Sequence, residues 1–577
     1  MRSWLAQSEK VDLSGRLLVI LVAGVVVLAS CAPEAPASRA PDSEGSQRAS
    51  GPPKVLRIDN RQESTWGMAI FAGNNAHQME SQLVFNAGLT VYNEKYEVMP
   101  RLAAKIPSIA DGDWKVYPDG SMDVTWKLRP NLTWHDGAPL TAYDVAFGYQ
   151  LMMDRELASS ASGATKLVRG TTVQDLLTLV VHYTASYYDA NVVNVNGMPP
   201  VPVHLMGDLY KTGDKQAFSS NSYWFGSFVG VGPYKLVQWQ PGAFMEGAAF
   251  DGYVLGRPKI DRIFVRFTTD PNVSLAAFMA GELDILTHDL SATDREVLAN
   301  RSGIKIDTWA QSTTGAIWQW RDPTAPWVGD ERNTIALGIR QAFMHMMDRQ
   351  AMADSFNPGG PGIAHLFVTP DDPVYKLVEA RGLAKYPYDP ARAIQLMANA
   401  GWTKGPDGML RNSAGQTFRF ELIDGDDLGV IVADYWRQGG IDSNSRDIPS
   451  SAVDRQRLKT EAQGARVGGA ATAGTFMQQF TSKEVRAESN NWSGLNQGGY
   501  VNPDVDRMYE RFLVEFDPNK RNAIDGDFFK FVNDQLLRQT WYYTGGAGAF
   551  TDRLTGPIPA KETVAIRTSN IHEWDLR

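Results

Sequence analysis

A mixed α/β fold divided among two or three domains is what this sequence predicts. The chain has 577 residues, which is too many for one hydrophobic core. Hydrophobic residues make up 43% of it and charged residues 21%, close to the usage of ordinary globular proteins. Strand-like alternation and a helix-capping pattern follow each other within one stretch of the chain, so we expect strands and helices together.

The strand and helix signals are clearest in the first third of the chain. Residues 54–58 alternate as a short strand does. A Pro-Asp-Gly turn at residues 118–120 separates two strand-forming runs, and apolar side chains alternate along residues 124–128. Thr141 is a predicted helix N-cap, because Asp144 follows it at the spacing of a capping box. This stretch is therefore predicted to form a β-hairpin followed by a helix.

The first 31 residues have the pattern of a lipoprotein signal peptide. A polar start with a slight positive excess precedes an unbroken apolar run of twelve residues, 17–28. Such a run spans about 18 Å as a helix, against about 30 Å of hydrocarbon core, and therefore fits a signal peptide better than a membrane anchor. It ends in Leu-Ala-Ser-Cys, which resembles a lipobox, so we expect lipidation of Cys31. A buried core helix ending in cysteine is the alternative.

Residues 32–53 are predicted to be a tether. Proline, serine and alanine dominate them, and such a segment buries too little apolar surface to fold. Cys31 is the one cysteine of the chain, so no internal disulfide is expected. We therefore expect an extracytoplasmic body that is lipid-anchored to the cell membrane, in the periplasm or on the outer face of the cytoplasmic membrane.

The charge of the chain excludes two classes of partner. The net charge is -9 at pH 7. Nucleic-acid binding needs a basic footprint, and attraction to anionic lipid headgroups needs a polybasic face. We expect neither kind of surface.

Six motifs resemble those of the family 5 extracellular solute-binding proteins, which are the peptide, nickel and oligosaccharide binders of ABC importers. They follow in the family's order and lie at residues 118–147, 231–236, 281–284, 340–349, 388–402 and 499–506. Gly-Pro-Tyr at 232–234 and Tyr-Asp-Pro at 388–390 are two examples. One such match is weak, but six in order are specific.

The resemblance implies an α/β fold of the two-lobe periplasmic-binding-protein type II class, with an extra subdomain inserted in lobe one. Two hinge crossings are expected near Thr308 and Thr540, and the ligand is expected between the lobes, which close around it. The expected division is lobe one at 54–90, 230–308 and 540–577, the inserted subdomain at 91–229, and lobe two at 309–539.

The function implied is that of the substrate-binding lipoprotein of an ABC transporter. It would capture an oligopeptide-like solute, without a cofactor and as a monomer, and deliver it to a permease in the cytoplasmic membrane. Peptide-binding members carry an aspartate that pairs with the amino group of the peptide, but the corresponding residues 467–475 contain no acid. An unpaired buried ammonium is costly. Another acid therefore substitutes, or the ligand is a neutral glycan, and oligosaccharide binding is the alternative.

Aromatic residues are the first candidate ligand contacts, because their faces suit both sugar rings and peptide side chains. Trp318 and Trp320 are expected on one face of a strand just past the first hinge crossing, with packing in the core of lobe two as the alternative. Trp66 follows the first strand in a polar loop expected to point into the cleft.

A second candidate cluster combines amide side chains with aromatic rings and glycines. Amides offer donors and acceptors to an uncharged polar ligand, and glycines let a backbone approach closely. A surface loop is the alternative. The members are Asn491, Trp492, Asn496, Gln497 and Tyr500.

A secreted hydrolase is the rival from another class. No HExxH, GxSxG or GxxxxGK[ST] motif occurs, and the eight histidines lack zinc-ligand spacing, so neither a catalytic nor a metal site is predicted. Nickel binding lies within the family, but no histidine-rich cluster supports it. A lipoprotein that feeds a sensor or acts as an envelope chaperone would share the same cleft.

Overall fold

The computed structural model describes most of the chain after the tether. The signal peptide, Cys31 and Trp66 lie outside the described residues. Pro53–Arg577 form one compact unit. Within the described part, no helix is both long and apolar enough to cross a membrane. The described residues are 52–60, 63, 82–93, 97–154, 156–157, 163–193, 199–287, 290–449, 451–469, 473–557 and 567–577.

Strands and helices alternate along these residues, as the α/β prediction requires. The described strands are β1 (Val55–Asn60), β2 (Thr90–Tyr92), β3 (Val98–Pro100), β4 (Trp114–Val116), β5 (Met122–Lys127), β6 (Val168–Asp175), β7 (Thr178–Tyr183), β8 (Tyr234–Gln240), β9 (Phe244–Ala249), β10 (Arg262–Phe267), β11 (Ile285–Leu286), β12 (Ile304–Trp318), β13 (Thr403–Lys404), β14 (Leu410–Arg411), β15 (Arg419–Ile423), β16 (Asp442–Arg446), β17 (Gly464–Gly469), β18 (Arg538–Thr551), β19 (Leu554–Thr555) and β20 (Asp575–Leu576).

The described α-helices are α1 (Ala142–Met153), α2 (Val203–Lys211), α3 (Lys215–Ser219), α4 (Pro271–Met279), α5 (Ala292–Ala299), α6 (Thr334–His345), α7 (Arg349–Phe356), α8 (Pro373–Ala380), α9 (Pro390–Asn399), α10 (Asp426–Gln438), α11 (Arg455–Glu461), α12 (Ala473–Gln478), α13 (Pro503–Val514) and α14 (Pro518–Asp534).

The predicted hairpin and helix form where the sequence places them. β4 and β5 pair antiparallel across the turn at residues 118–120, where Gly120 has a φ of 84° that favours glycine. Thr141 caps α1, and Asp144 completes the capping box. The motif around His135 is structural, because its Nδ1 accepts from the Gly230 N–H at 3.2 Å.

A ten-stranded sheet runs through the unit in the order β16-β15-β17-β12-β18-β11-β1-β10-β9-β8. β12 and β18 pair antiparallel along nearly their whole lengths at its centre. At one end of this pair β12 also pairs with β17, and at the other end β18 also pairs with β11. Thr308 and Thr540 lie in these two strands, where the hinge crossings were predicted.

Three large hydrophobic cores surround the sheets. One lies on β1, β9 and β10 and includes Trp574. The second lies on the separate sheet β4-β5-β7-β6 and includes Trp126 and Trp134. The third packs α6, α9 and α10 against β12 and β15, with Trp318 and Trp436 fully buried. The first core combines residues from the ranges expected for lobe one and for the inserted subdomain, whereas the second and third lie mainly in the ranges expected for the inserted subdomain and lobe two. These boundaries stay a prediction.

Candidate ligand-binding site

The parallel strands β15, β16 and β17 have their carboxyl ends on the same side of the sheet. In open α/β sheets, ligands bind beyond the carboxyl ends of the strands. A row of residues in register crosses five strands near these ends: Arg446, Ile423, Arg466, Ile317 and Arg538. Because side chains in register point to the same face of a sheet, three arginines share one face here.

Acidic partners neutralise two of these arginines. Arg446 donates to both carboxylate oxygens of Glu421, at 3.0 and 3.2 Å. Arg466 Nε donates to Asp424 Oδ2 at 3.1 Å, and Lys459 Nζ lies 2.5 Å from the same oxygen. Burial raises the pKa of Asp424, but the hydrogen bonds from Lys459 and Arg466 outweigh burial and hold that pKa below its usual range. Asp424 is therefore already paired with cations of the protein.

Four of the predicted ligand contacts lie together beside this row. Trp320, Asn496, Gln497 and Tyr500 line one small cavity with Arg538. The rings of Trp320 and Tyr500 meet edge to face with centroids 5.0 Å apart. The sequence therefore identified residues that the fold brings together across a long separation in the chain.

Asn496 holds this cavity in shape. It is 1% exposed, and its Nδ2 donates to the carbonyls of Thr481 at 3.1 Å and Tyr500 at 2.7 Å. Its Oδ1 accepts from the Gly499 N–H at 3.0 Å. Because both ends of the amide are occupied, Asn496 fixes the loop that carries Gln497 and Tyr500.

Gly498 is required by a close backbone approach. Its carbonyl accepts from the Trp320 N–H at 2.8 Å. A Cβ at position 498 would lie 2.3 Å from the Trp318 carbonyl oxygen, which is too close for any other residue without a backbone shift. This glycine therefore lets the loop lie against the end of β12.

Three of the described candidates lie elsewhere. Trp318 is fully buried and meets Phe343 and Phe420 edge to face, with centroids 5.3 and 5.6 Å away, which is the core packing given as its alternative. Asn491 is exposed, and both Asn491 and Trp492 have left-handed φ values in a surface turn. These three do not line the cavity, and their role as ligand contacts stays a prediction.

Sequence reasoning missed Arg538 and Gln479, which line the same cavity. Arg538 is the first residue of β18, and its Nη1 donates to Gln479 Oε1 at 2.8 Å. The one signal in the sequence is an arginine within an otherwise largely apolar strand start, Leu-Leu-Arg-Gln-Thr-Trp. That pattern does not reveal which side of the sheet the arginine faces.

A larger groove of about 1540 Å³ begins at the opposite end of the strands and extends to Glu421 and to Arg446 of the arginine row. It is lined by the starts of β15 and β17, by Arg321 and by the rings of Trp327 and Trp402. Because ligands of open α/β sheets bind beyond the carboxyl ends of the strands, we favour the carboxyl ends of β15 and β17, beside Arg538, as the solute site. Among the described residues, no three or more His, Cys, Asp or Glu side chains are grouped so that they could hold a metal ion.

The family model "Bacterial extracellular solute-binding proteins, family 5 Middle" matches residues 104–487. The chain belongs to this family. The oligopeptide-binding protein AppA of Bacillus subtilis is 23% identical over 554 residues, covering 94% of this chain and 95% of AppA. Protein XP55 of Streptomyces lividans is 28% identical over 445 residues, covering 76% of this chain and 74% of XP55.

Solved structures of this family share the fold. The oligopeptide-binding protein of Thermus thermophilus, complexed with a pentapeptide, is 20% identical with a TM-score of 0.67, covering 90% of this chain and 96% of that one. NikA of Brucella suis, in complex with Fe(III)-EDTA, is 18% identical with a TM-score of 0.72, covering 91% and 100%. The predicted two-lobe α/β fold is confirmed. This family 5 protein is accordingly an extracytoplasmic solute-binding protein.

Proposed function

We propose that this family 5 protein is the substrate-binding lipoprotein of an ABC importer and captures an oligopeptide-like solute between its lobes. The observation that carries the proposal is the end-to-end similarity to AppA, an oligopeptide-binding protein. The fold of a pentapeptide complex, shared over 90% of the chain, supports it. The captured solute passes to a permease in the cytoplasmic membrane.

The carboxyl-end face of lobe two supplies groups that suit a peptide. Trp320 and Tyr500, both largely buried, support the loop from which half-buried Gln497 offers an amide to the peptide backbone. The glycines at 468 and 469 end β17 without side chains, so an extended chain can approach the strand closely. These groups recognise features common to all peptides rather than one sequence.

The ammonium end of a peptide needs an acid that residues 467–475 do not supply. Glu421 and Asp424 are the acids paired with the row of arginines. Lys459, Arg455 and Arg466 surround Asp424. A solute without a free amino group fits this positive face better than one with it. That observation keeps a neutral oligosaccharide, stacked on tryptophan, as the second candidate.

The remaining parts of the proposal concern anchoring and assembly. Cys31 carries the lipid, residues 32–53 tether the body, and the protein works as a monomer in the periplasm or on the outer face of the membrane. The lobes divide at the hinge strands β12 and β18. Trp66, Asn491 and Trp492 complete the ligand contacts.

Thermal unfolding of a soluble form beginning at Gly51, with panels of peptides and oligosaccharides, tests the ligand class. A ligand at a hundred times its dissociation constant stabilises the folded state by about 2.7 kcal/mol. We expect peptides to raise the Tm of the wild type and of Trp402→Ala, a control in the other groove, but not of Trp320→Ala. A rise with glycans alone establishes the second candidate, and no rise with any peptide refutes the first.

A further inference from the structure

Arg538 is a buried cation without an acidic partner. Its side chain lies at the start of β18, and the residue is 4% exposed. Within the described part of the chain, no carboxylate forms an ion pair with it, and its Nε has no hydrogen-bond partner. Arginine stays protonated in proteins, so the charge persists. A buried charge without compensation costs several kcal/mol, and its retention therefore calls for an explanation.

Aromatic rings and neutral acceptors make up the rest of its surroundings. The guanidinium carbon lies 4.9 Å from the ring centroid of Phe367 and 5.5 Å from that of Phe476. Gln479 Oε1 and the Gly469 carbonyl accept from its two terminal nitrogens. These contacts orient the guanidinium and partly stabilise it. They leave the net positive charge in place.

The other arginines of the row show what Arg538 lacks. Arg446 has Glu421, and Arg466 has Asp424, each within hydrogen-bond distance. Ile317 pairs in register with both Arg466 and Arg538, so the two cations flank one residue on one face. Burial, and in addition the charge of Arg466, lower the pKa of Arg538 to about 9.

The cavity beside Arg538 has the chemistry of an anion site. Its volume is about 10 Å³, which is room for one water-sized occupant. No acidic residue lines it among the described residues. The oxygens of Gln479 and Gln497 accept from Arg538 and Arg466, which leaves the amide nitrogens of both glutamines as donors. Both glutamines are half-buried.

We propose that this cavity binds one small anionic group, with the Arg538 guanidinium as its principal partner. The group is either a free monovalent anion or a carboxylate of the captured solute. Because the cavity has room for one water-sized occupant, either source requires Gln479 or Gln497 to move aside. The carboxylate source also rests on the proposed function, whereas the free-anion source does not. A free anion neutralises Arg538, whereas a carboxylate bound there makes the site select for negative charge on the solute.

The first arm of the test uses chloride as the probe. The Tm of the wild-type chain is measured while sodium chloride replaces sodium gluconate at constant ionic strength. A free-anion site predicts a saturating rise in Tm, which is lost in Arg538→Gln and kept in Arg446→Gln, a matched variant of an already paired arginine in the same row. Crystals of the wild type soaked in bromide should then show an anomalous peak beside Arg538, which keeps the test independent of variant folding.

The second arm compares peptides that carry a free carboxyl terminus with the same peptides amidated, in chloride-free buffer. A solute carboxylate at Arg538 predicts about tenfold to hundredfold weaker binding after amidation in the wild type and in Arg446→Gln. Arg538→Gln should bind both forms equally. The site is refuted if neither chloride, bromide nor the free carboxylate distinguishes an intact Arg538. Failure of every peptide refutes the proposed function, and the chloride and bromide results still decide the site.

Discussion

Trp320 and Tyr500 pack edge to face with ring centroids 5.0 Å apart, and the Arg340 guanidinium carbon lies 5.1 Å from the Trp320 ring centroid. Trp320 follows β12, whereas Tyr500 ends the glycine-rich loop that precedes α13. The contact therefore joins the end of β12 to the loop that carries Gln497.

Trp318→Ala is expected to destabilise the protein strongly, because Trp318 belongs to the core and does not line the cavity beside Trp320. Trp318 is fully buried among Phe343, Phe420 and Trp327, so its removal leaves a cavity in the core that packs α6, α9 and α10 against β12 and β15. We expect the free energy of unfolding to fall by about 3–5 kcal/mol. Urea denaturation measures it, with Trp492→Ala, in a surface turn, as the control. Equal losses in both variants would show that Trp318 does not pack as described.

His135 should make the protein less stable in mild acid. Burial lowers its pKa to about 4, because the charged ring would lie away from water. The unfolded chain has a histidine pKa near 6.5. It binds a proton first as the pH falls, so the stabilisation present above pH 6.5 is lost progressively towards pH 4.

A His135→Gln variant isolates this contribution from the other titrating groups. Its stability should depend less on pH between about 6.5 and 4, by on the order of 3 kcal/mol across the window. Denaturant unfolding at several pH values gives the comparison, and His204→Gln, whose ring lies against Asp136 and is half-exposed, serves as the control. Parallel pH profiles for wild type and His135→Gln would contradict the assignment.

Asp525→Asn should stabilise the protein above neutral pH. Asp525 is 4% exposed on α14, and burial, with the charge of Asp372, raises its pKa to about 7. An unfolded aspartate has a pKa near 3.9. Stability therefore falls as the pH rises from about 4 to 7 and then levels off. The variant has no proton to lose, so it should gain about 2–4 kcal/mol at pH 8 relative to wild type.

The same comparison at pH 4 provides the control for Asp525→Asn. There the wild-type carboxyl is protonated in the folded state and about half protonated in the unfolded chain, so the two proteins should differ by less than about 1 kcal/mol. An equal difference in the free energy of unfolding between the two proteins at pH 4 and pH 8 would mean that packing, not ionisation of Asp525, causes it.

Cys31→Ser should release the protein from the membrane. The thiol is the proposed lipid attachment point, and several acyl chains on one residue anchor firmly because each buried CH₂ contributes about 0.8 kcal/mol. Membrane fractionation and labelling with radioactive palmitate should show the wild type in the membrane and labelled. Ser46→Ala, in the tether, should behave as the wild type does. Labelled Cys31→Ser protein in the membrane fraction would refute lipidation at this residue.

Local chemistry made much of the fold predictable. The turn at 118–120 and the cap at Thr141 depend only on neighbouring residues, and both formed as expected. The order of six motifs then indicated the family and, with it, the two-lobe fold. Strand alternation beyond β12 was less informative. The strand ends at Trp318, so the period of two that grouped Trp318 with Trp320 no longer governs where the second ring points.

The charge balance of the site could not be predicted from the sequence. Arg466 and Arg538 look alike along the chain, and only the register of five strands shows that one has an acid beside it. Pairing depends on residues far apart in sequence, such as Asp424, which follows β15. Gln479 and the cavity it lines depend in the same way on how α12 lies against β18.

Mass spectrometry of the solute that co-purifies with the wild-type protein tests the central claim most directly. The protein is isolated from its native membrane without unfolding, and the bound material is then released by denaturation and sequenced. We predict short peptides of mixed sequence, depleted in Trp320→Ala. Oligosaccharides in their place, or the same material in both proteins, would contradict peptide capture at this site.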